Sequence, residues 1–181
     1  MPHKEYLFTS ERLGFRNWLT EDYLSLVEIN ADPLVMEFFP ALQTEIETLE
    51  FIARMKHQFK DKGYCYFAVD KLEDGEFIGF IGLSEPSFIA DFTPCVDMGW
   101  RLRASEWHKG YATEGAGSCL SYAFDTLQLE QVYAIAPLIN QRSKQVMKKI
   151  GMAWLRDFKH PKLANDKRLE DCVLYIATNT K

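Results

Sequence analysis

The hydrophobic residues of this chain recur with two different spacings, and the spacing predicts which segments are strands and which are helices. Residues 11–18 alternate partly between apolar and polar, as expected for a first strand. Helical spacing follows from Thr20, the predicted N-cap, to about Asn30, and Pro33 then opens a predicted short helix over residues 32–39. The chain is therefore expected to begin with one strand and two helices.

A longer helix is predicted next, because Thr44 and Glu47 fit a capping box and Gly63 supplies a stop signal. The remaining predicted elements are a hairpin of strands over residues 64–69 and 77–83, a strand over 95–102, a helix over 112–127, a strand over 131–136, a helix over 140–150, and two late strands over 154–158 and 171–177. This order predicts a mixed α/β fold with helices on both faces of one sheet.

The bulk composition sets the size of the fold and excludes some functions. A chain of 181 residues suffices for one compact domain, so residues 1–181 are predicted to form a single domain. The hydrophobic share of 47% supplies a substantial core. The formal net charge of −5 argues against nucleic-acid binding, which needs a basic surface.

The cysteines, the histidines and the apolar runs bear on disulfide formation, metal binding and the location of the protein. The four cysteines lack C-x-x-C spacing and are expected to be reduced, buried thiols. The four histidines are dispersed, so no metal site is expected. The first five residues lack the apolar segment of a secretion signal, and no run approaches the roughly 20 apolar residues of a membrane span. A cytoplasmic location, with no membrane partner, follows by default.

Residues 106–114 form a predicted loop that enters a helix. Such a turn points several backbone N–H groups at one place, where the helix dipole adds positive potential. Gly110 and Ala112 are small where a diphosphate must approach the backbone, and Lys109 adds a cation. The segment is thus interpreted as an anion site of pyrophosphate size. The alternative is that Gly110 only allows the chain to turn before a helix. Neither the P-loop nor the dinucleotide-binding glycine pattern is present.

The order of several motifs resembles the GNAT superfamily of N-acetyltransferases, and more narrowly its RimJ/RimL-like branch of ribosomal-protein N-terminal acetyltransferases. Residues 100–102 (WRL) and 107–114 (WHKGYATE) resemble motif A of the superfamily. The other matching pieces are ERL and FR within residues 11–16, GFIGL at 79–83, Asn140 with Ser143, IGM at 150–152 and DFKHP at 157–161. The resemblance runs from about residue 8 to residue 176.

The resemblance implies a GNAT fold, in which a mostly antiparallel twisted sheet contains a splayed parallel strand pair, and it implies acetyl-CoA as cosubstrate. In the superfamily the strand before motif A splays at a bulge, and the pantetheine arm fills the gap. The residues implied to hold acetyl-CoA are Trp100, Arg101, Leu102, Trp107, His108, Lys109, Gly110, Tyr111, Ala112, Thr113, Asn140 and Ser143. A glycine usually follows the motif tryptophan in this branch, so His108 is a departure whose effect on CoA affinity is open.

The implied reaction is direct attack of a neutral amine on the thioester. Many members place a tyrosine acid in the fourth helix, where this chain has Met147; Ser143, one turn earlier, is therefore the candidate acid. Its alternative role is a hydrogen bond within the first helical turn. Asp97 is the candidate base or water-positioning group, and its alternative is a solvent-facing carboxylate or a salt bridge with Arg101 or Arg103. Glu114 is read as stabilising the first turn of its helix.

The acceptor is expected to be a primary amine, either a protein N-terminus or a small molecule. Tyr64, Tyr66, Phe88 and Trp100 are candidates to line its pocket, although core packing is the alternative for each. His160 is interpreted as an exposed loop residue before Pro161, with a contact to substrate as the alternative. Two competing functions remain open: an acyl-CoA-binding module without efficient turnover, and a structural subunit. The oligomeric state, monomer or homodimer, is also open.

Overall fold

The computed structural model describes residues 5–180. The segment before Glu5, on which the absence of a secretion signal was predicted, and His3 lie outside this range. The elements are β1 (Phe8–Thr9), β2 (Leu13–Arg16), α1 (Asp22–Ala31), α2 (Glu45–Lys62), β3 (Tyr66–Lys71), β4 (Phe77–Ser84), β5 (Asp97–Leu102), α3 (Tyr111–Ser121), β6 (Gln131–Pro137), α4 (Gln141–Lys149), β7 (Ala153–Lys159) and β8 (Asp171–Thr178). A π-helical turn, Tyr122–Thr126, continues α3.

All eight strands form one sheet in the order β1-β2-β3-β4-β5-β6-β8-β7. Every neighbouring pair is antiparallel except β5 and β6, which are parallel. The mixed α/β fold with a mostly antiparallel sheet and one parallel pair is therefore confirmed.

The helices cover both faces of the sheet, as predicted. On one face, Asn30 of α1 accepts a hydrogen bond from the side chain of Arg101 in β5. On the other face, Gly115 of α3 packs against Ile81, which is the β4 partner of Trp100. Because side chains alternate along a strand, Asp97, Gly99 and Arg101 face α1 and α2, whereas Met98, Trp100 and Leu102 face α3.

The start of α2 confirms the capping box. Thr44 accepts a hydrogen bond from the backbone N–H of Glu47, and the Glu47 carboxylate accepts one from the N–H of Thr44. Gly63 ends the helix in the left-handed conformation, at φ 78°. The predicted cap at Thr20 is wrong, because α1 begins at Asp22, whose carboxylate accepts from the N–H of Leu19.

The segment between α1 and α2 is not the short helix predicted for residues 32–39. Asp32 is extended and ends α1, and its side chain accepts from the N–H of Leu34, so the chain leaves the helical path at once. Single turns follow, which are stabilised by contacts from distant parts of the chain described below. Within residues 5–180, no helix is long and apolar enough to cross a bilayer.

Candidate active site

The parallel pair β5–β6 separates after two residue pairs. Asp97 pairs with Tyr133 and Met98 with Ala134, but β5 runs on to Leu102 and β6 to Pro137 without further pairing between them. The predicted splay is thus present. The predicted bulge is not, because β5 keeps an unbroken register with β4 along its whole length. The register shifts recorded in residues 5–180 lie in other strand pairs.

Backbone groups of β5 line the gap that this separation opens. Arg103 donates its N–H to the carbonyl of Ile78 in β4, and hydrogen-bonded residues alternate along an antiparallel pair. Arg101 therefore turns its backbone polar groups toward β4, whereas Trp100 and Leu102 turn theirs toward the gap. The Leu102 carbonyl is taken by the indole Nε1–H of Trp107 at 2.9 Å. The N–H and C=O of Trp100 and the N–H of Leu102 have no hydrogen-bond partner among residues 5–180.

The chain turns sharply between β5 and α3. His108 and Gly110 both have positive φ, at 61° and 86°, and Gly110 is the N-cap residue of α3. The position where the related branch usually has glycine is thus one that requires a left-handed backbone, and His108 adopts it in spite of its Cβ. The turn places the first N–H groups of α3 at one point, which suits a diphosphate.

Neighbouring segments brace this turn. Arg12, in the loop before β2, donates from Nη1 to the carbonyl of Lys109 at 3.1 Å, and its guanidinium lies over the Tyr111 ring. The Glu114 carboxylate accepts from the backbone N–H and the Nε of Arg12 and from the Ser10 hydroxyl. Glu114 thus ties α3 to the first hairpin, in agreement with its interpretation as a structural residue. These hydrogen bonds keep the pKa of Glu114 below its usual value, against desolvation, which raises it.

Lys109 is held by a carboxylate of its own turn. Its Nζ lies 3.0 Å from the buried side chain of Glu106. The Lys109 side chain is about half exposed, so its charge stays at the rim of the turn.

Asp97 lies at the point where the parallel strands part. Both of its carboxylate oxygens lie 3.0 Å from the Tyr66 hydroxyl, which donates to them. Desolvation by burial raises the pKa of Asp97 to about 7, although the hydrogen bonds from Tyr66 and the backbone act in the opposite direction. The predicted alternatives, a solvent-facing carboxylate or a salt bridge with Arg101 or Arg103, are wrong: Arg103 pairs with Glu28, and Arg101 binds two amides.

Gly99 makes the approach of Tyr66 possible. A Cβ on Gly99 would lie 2.9 Å from the Tyr66 ring and 3.0 Å from its hydroxyl oxygen. Burial raises the pKa of Tyr66 well above its usual value, so the phenol remains a hydrogen-bond donor. The sequence offers Tyr66 only as a candidate for the acceptor pocket or the core, because its contact with Asp97 reaches across β4, the strand between them.

The first turn of α4 follows the end of β6, and its Arg142 lies over the ring of Trp107, in the loop after β5. Asn140 is the N-cap and accepts from the backbone N–H of Ser143 at 3.1 Å, as predicted for a helix start at this position. The Ser143 hydroxyl makes no hydrogen bond within residues 5–180, so the alternative role assigned to it, bonding within its own turn, is not what the structure shows. Met147 is 1% exposed and belongs to the core.

Residues 37–39 form a short segment, the strap, which is held in place by Arg142 and Arg168. Arg142 of α4 pairs with the Glu37 carboxylate, and its guanidinium lies over the rings of Phe38 and Trp107. Arg168, in the loop between β7 and β8, donates to the carbonyls of Glu37 and Phe39. Sequence patterns gave no sign of this arrangement, which joins segments more than 100 residues apart.

The other residues predicted to line the acceptor pocket are Phe88, Tyr64 and Trp100, and each makes separate contacts. Phe88 packs against His160 with ring centroids 4.4 Å apart, and Tyr64 donates to Glu85. His160 is half-buried rather than exposed, and desolvation lowers its pKa. Trp100 faces α3, on the face of the sheet opposite Asp97, so its side chain does not line the same pocket.

No group of three or more metal-ligating side chains occurs within the described part of the chain. The cysteines are free thiols, of which Cys65, Cys119 and Cys172 are buried and Cys95 is partly exposed.

Comparisons with known proteins agree with this geometry. The sequence model of the family described as Acetyltransferase (GNAT) domain matches residues 12–153. A relative from Bacillus subtilis (strain 168), named uncharacterized N-acetyltransferase YnaD, is 30% identical over 145 residues, which cover 80% of this chain and 81% of the relative.

Two solved structures share the fold. The spermidine N-acetyltransferase from Vibrio cholerae, in complex with CoA and spermine, superposes with a TM-score of 0.74 at 18% identity and covers 93% of this chain and 96% of its own. The ribosomal-protein-S5-alanine acetyltransferase from Vibrio fischeri superposes with a TM-score of 0.77 at 17% identity, over 96% and 97% of the two chains.

Proposed function

Since the chain belongs to the GNAT acetyltransferase family and is an acetyl-CoA-dependent acetyltransferase, we propose that it transfers the acetyl group to a primary amine by direct attack, with Asp97 as the base. The observation that carries this proposal is the gap between β5 and β6, with Asp97 at its closed end and the Gly110 turn beyond its open end. A long, narrow cosubstrate with a diphosphate at one end and a thioester at the other fits between these two points.

The turn and the gap divide the binding of acetyl-CoA between them. The N–H groups at the start of α3, around Gly110 to Thr113, take the pyrophosphate, with Lys109 at the rim. The free backbone groups of Trp100 and Leu102 pair with the amides of the pantetheine arm. Asn140 and Ser143 approach the acyl end from α4.

Deprotonation of the amine is the task assigned to Asp97. An α-amino group has a pKa of about 8 and is largely protonated at neutral pH. A carboxylate whose pKa is about 7 takes up a proton at this pH far more readily than an ordinary aspartate. The Tyr66 hydroxyl fixes the orientation of the carboxylate, so the amine is aligned with the thioester as it loses its proton.

The developing oxyanion and the leaving thiolate each need a donor. Trp100 has the first N–H of β5 that faces the gap beyond the paired residues, and we assign it to the oxyanion. The Ser143 hydroxyl, which is free of other hydrogen bonds, is assigned to the thiolate. An acetyl-cysteine intermediate is disfavoured because burial raises the pKa of Cys95, two residues before Asp97, to about 11.

Two classes of acceptor are compatible with this arrangement. The structures with the same fold include an enzyme named for an alanine of ribosomal protein S5 and one named for spermidine. The RimJ/RimL-like motifs favour the first class. We therefore propose a protein N-terminus or a small primary amine as acceptor. We also propose that the chain forms a single catalytic domain.

Thiol release from acetyl-CoA tests the proposal. Purified protein is assayed with peptides, polyamines, aminoglycosides and amino acids, next to the variants Asp97→Asn and Asp61→Asn. Asp61 is an exposed carboxylate on α2, paired with His57, and serves as the matched control. We expect turnover with at least one amine, a large loss in Asp97→Asn and none in Asp61→Asn. Calorimetric binding of CoA without release of thiol, for every amine, would instead support a binding module.

A further inference from the structure

Arg101 is a buried cation without a carboxylate partner. It is 8% exposed and lies on the same face of β5 as Asp97, four residues along the strand. Its Nη1 donates to the side-chain carbonyls of Asn30 at 2.6 Å and Gln43 at 3.2 Å. Its guanidinium lies between the rings of Phe39 and Phe80, at 4.2 and 5.3 Å from their centroids. No carboxylate of residues 5–180 lies within 4 Å of it.

The anchoring of Nη1 is itself firmly held. Asn30 is fully buried, and its amide donates to Thr48, whose hydroxyl donates to the carbonyl of Thr44. This chain of hydrogen bonds fixes one nitrogen of Arg101 and thereby fixes the direction of the other two.

The other edge of the guanidinium has no partner among the described residues. Nε is fully enclosed and unpaired. Nη2 also donates no hydrogen bond but does not belong to the fully enclosed atoms, so it retains contact with solvent. A ligand can therefore contact Nη2, whereas Nε is closed to it.

A second buried arginine shows what this edge binds in the same protein. Arg16, 2% exposed, donates from Nε and Nη2 to the two oxygens of Asp70, each at 2.7 Å. Its other edge holds Asp22 in the same way. Arg16 thus has two carboxylates, whereas Arg101 has two neutral amides. Buried charges are normally paired, because taking an unpaired ion out of water is costly.

The two arginines near Arg101 are each paired with a carboxylate, Arg142 with Glu37 and Arg168 with Asp166, whereas Arg101 has none among residues 5–180. The segment that contributes Phe39 and Gln43 is the one held by Arg142 and Arg168, and Arg168 donates to backbone carbonyls there. Desolvation lowers the pKa of Arg101 to about 10, so it remains charged at neutral pH. Asp97 is engaged by Tyr66 and does not neutralise it.

From these contacts we infer that Arg101 is a specificity-determining residue, which binds the carboxylate of an acceptor amine through Nη2, the guanidinium nitrogen that is open to solvent, while Asp97 receives the amine. This inference rests on the proposed function and narrows it to amines that also carry a carboxylate. The Cα atoms of Asp97 and Arg101 are separated by roughly 13 Å of extended strand, so amine and carboxylate need to be several bonds apart.

Matched pairs of amines test the inference. The ω-amino acids from glycine to 6-aminohexanoate are compared, each with its own carboxamide, by thiol release from acetyl-CoA. At the best chain length we expect kcat/KM for the acid to exceed that for the amide by about tenfold or more, since hydrogen bonds to charged groups are the strong ones. In Arg101→Gln this ratio should fall to about one. In Arg101→Lys, which keeps the charge but not the planar edge, it should be intermediate.

The ratio of kcat/KM for the acid to that for the amide, measured in the wild-type protein, tests the role of Arg101 even where the variants fold poorly. Equal kcat/KM for acid and amide at every length, with good turnover of the amides, overturns the inference and leaves the proposed function intact. Absence of turnover with every amine overturns both. If Arg101→Gln keeps the preference for the acid but binds CoA more weakly, then Arg101 serves the cosubstrate and the inference is wrong.

Discussion

Replacing Asp97 by asparagine should make the protein more stable at alkaline pH while it removes the proposed base. Asparagine has nearly the same shape and can still accept the hydrogen bond from Tyr66, so the packing around Gly99 is retained. What it removes is the ionisation of a carboxyl group that the fold holds away from water. The effect on stability is therefore expected to depend on pH.

The size of the effect follows from the pKa. Burial raises the pKa of Asp97 from 3.8 to about 7, which corresponds to a free energy on the order of 4 kcal/mol. Below pH 4 the carboxyl is protonated in both the folded and the unfolded state, so its burial does not lower the free energy of unfolding. Between about pH 4 and pH 7 the folded state holds a proton that the unfolded state has lost. Stability therefore falls as pH rises, and the full cost is present above pH 7.

Urea denaturation at pH 5 and pH 8 measures this directly. We expect Asp97→Asn to gain about 2 to 3 kcal/mol relative to the wild type between these pH values, whereas Asp61→Asn follows the wild type. Cys95 and Tyr66 interact with the Asp97 charge, but burial raises the pKa of Cys95 to about 11 and that of Tyr66 well above its usual value, so both stay protonated in the folded state at pH 5 and pH 8. A difference that stays constant from pH 5 to pH 8 would refute the claim that the fold raises the pKa of Asp97.

Three further variants test other parts of the site. Gly99→Ala places a Cβ 2.9 Å from the Tyr66 ring, so kcat should fall about tenfold or more as Tyr66 leaves Asp97; unchanged steady-state kinetics would contradict this. His108→Gly relieves a left-handed residue at φ 61° and should raise the free energy of unfolding by about 0.5 to 1 kcal/mol in urea titrations, whereas a loss of stability would contradict the strain. Ser143→Ala should lower kcat by about tenfold or more, with an unchanged circular dichroism spectrum; wild-type kcat would exclude it as the acid.

The elements that the sequence predicted correctly are those with local causes. The capping box at Thr44 and the left-handed stop at Gly63 depend on residues within one or two turns of each other. The predicted helix over residues 32–39 failed because Asp32 turns the chain locally and Arg142 and Arg168 then hold the segment from far away. No spacing rule within the segment contains that information.

The same division applies to the active site. The turn around Gly110 could be predicted, because a glycine before a helix is a local signal for an anion site. Asp97 could be named as a candidate, but its alternatives could not be decided, since its partner Tyr66 lies two strands away and reaches it only across Gly99. Arg101 was predicted as backbone beside the pantetheine arm and as one alternative salt-bridge partner of Asp97, because the sequence does not show that its side chain lies between two neutral amides and two aromatic rings.

In the proposed function, β5 contributes both to the cosubstrate site and to the acceptor site, and its geometry keeps the two sites apart. The backbone of Trp100 and Leu102 faces the gap, whereas the side chains of Asp97 and Arg101 face α1 and α2. Under the proposed function, alternation along the strand makes the cosubstrate contacts depend on backbone and the acceptor contacts on side chains. Asp97→Asn should accordingly bind CoA in calorimetry with an affinity within about twofold of the wild type, although it turns over far less. A parallel loss of CoA affinity would mean that both functions depend on the same side chain.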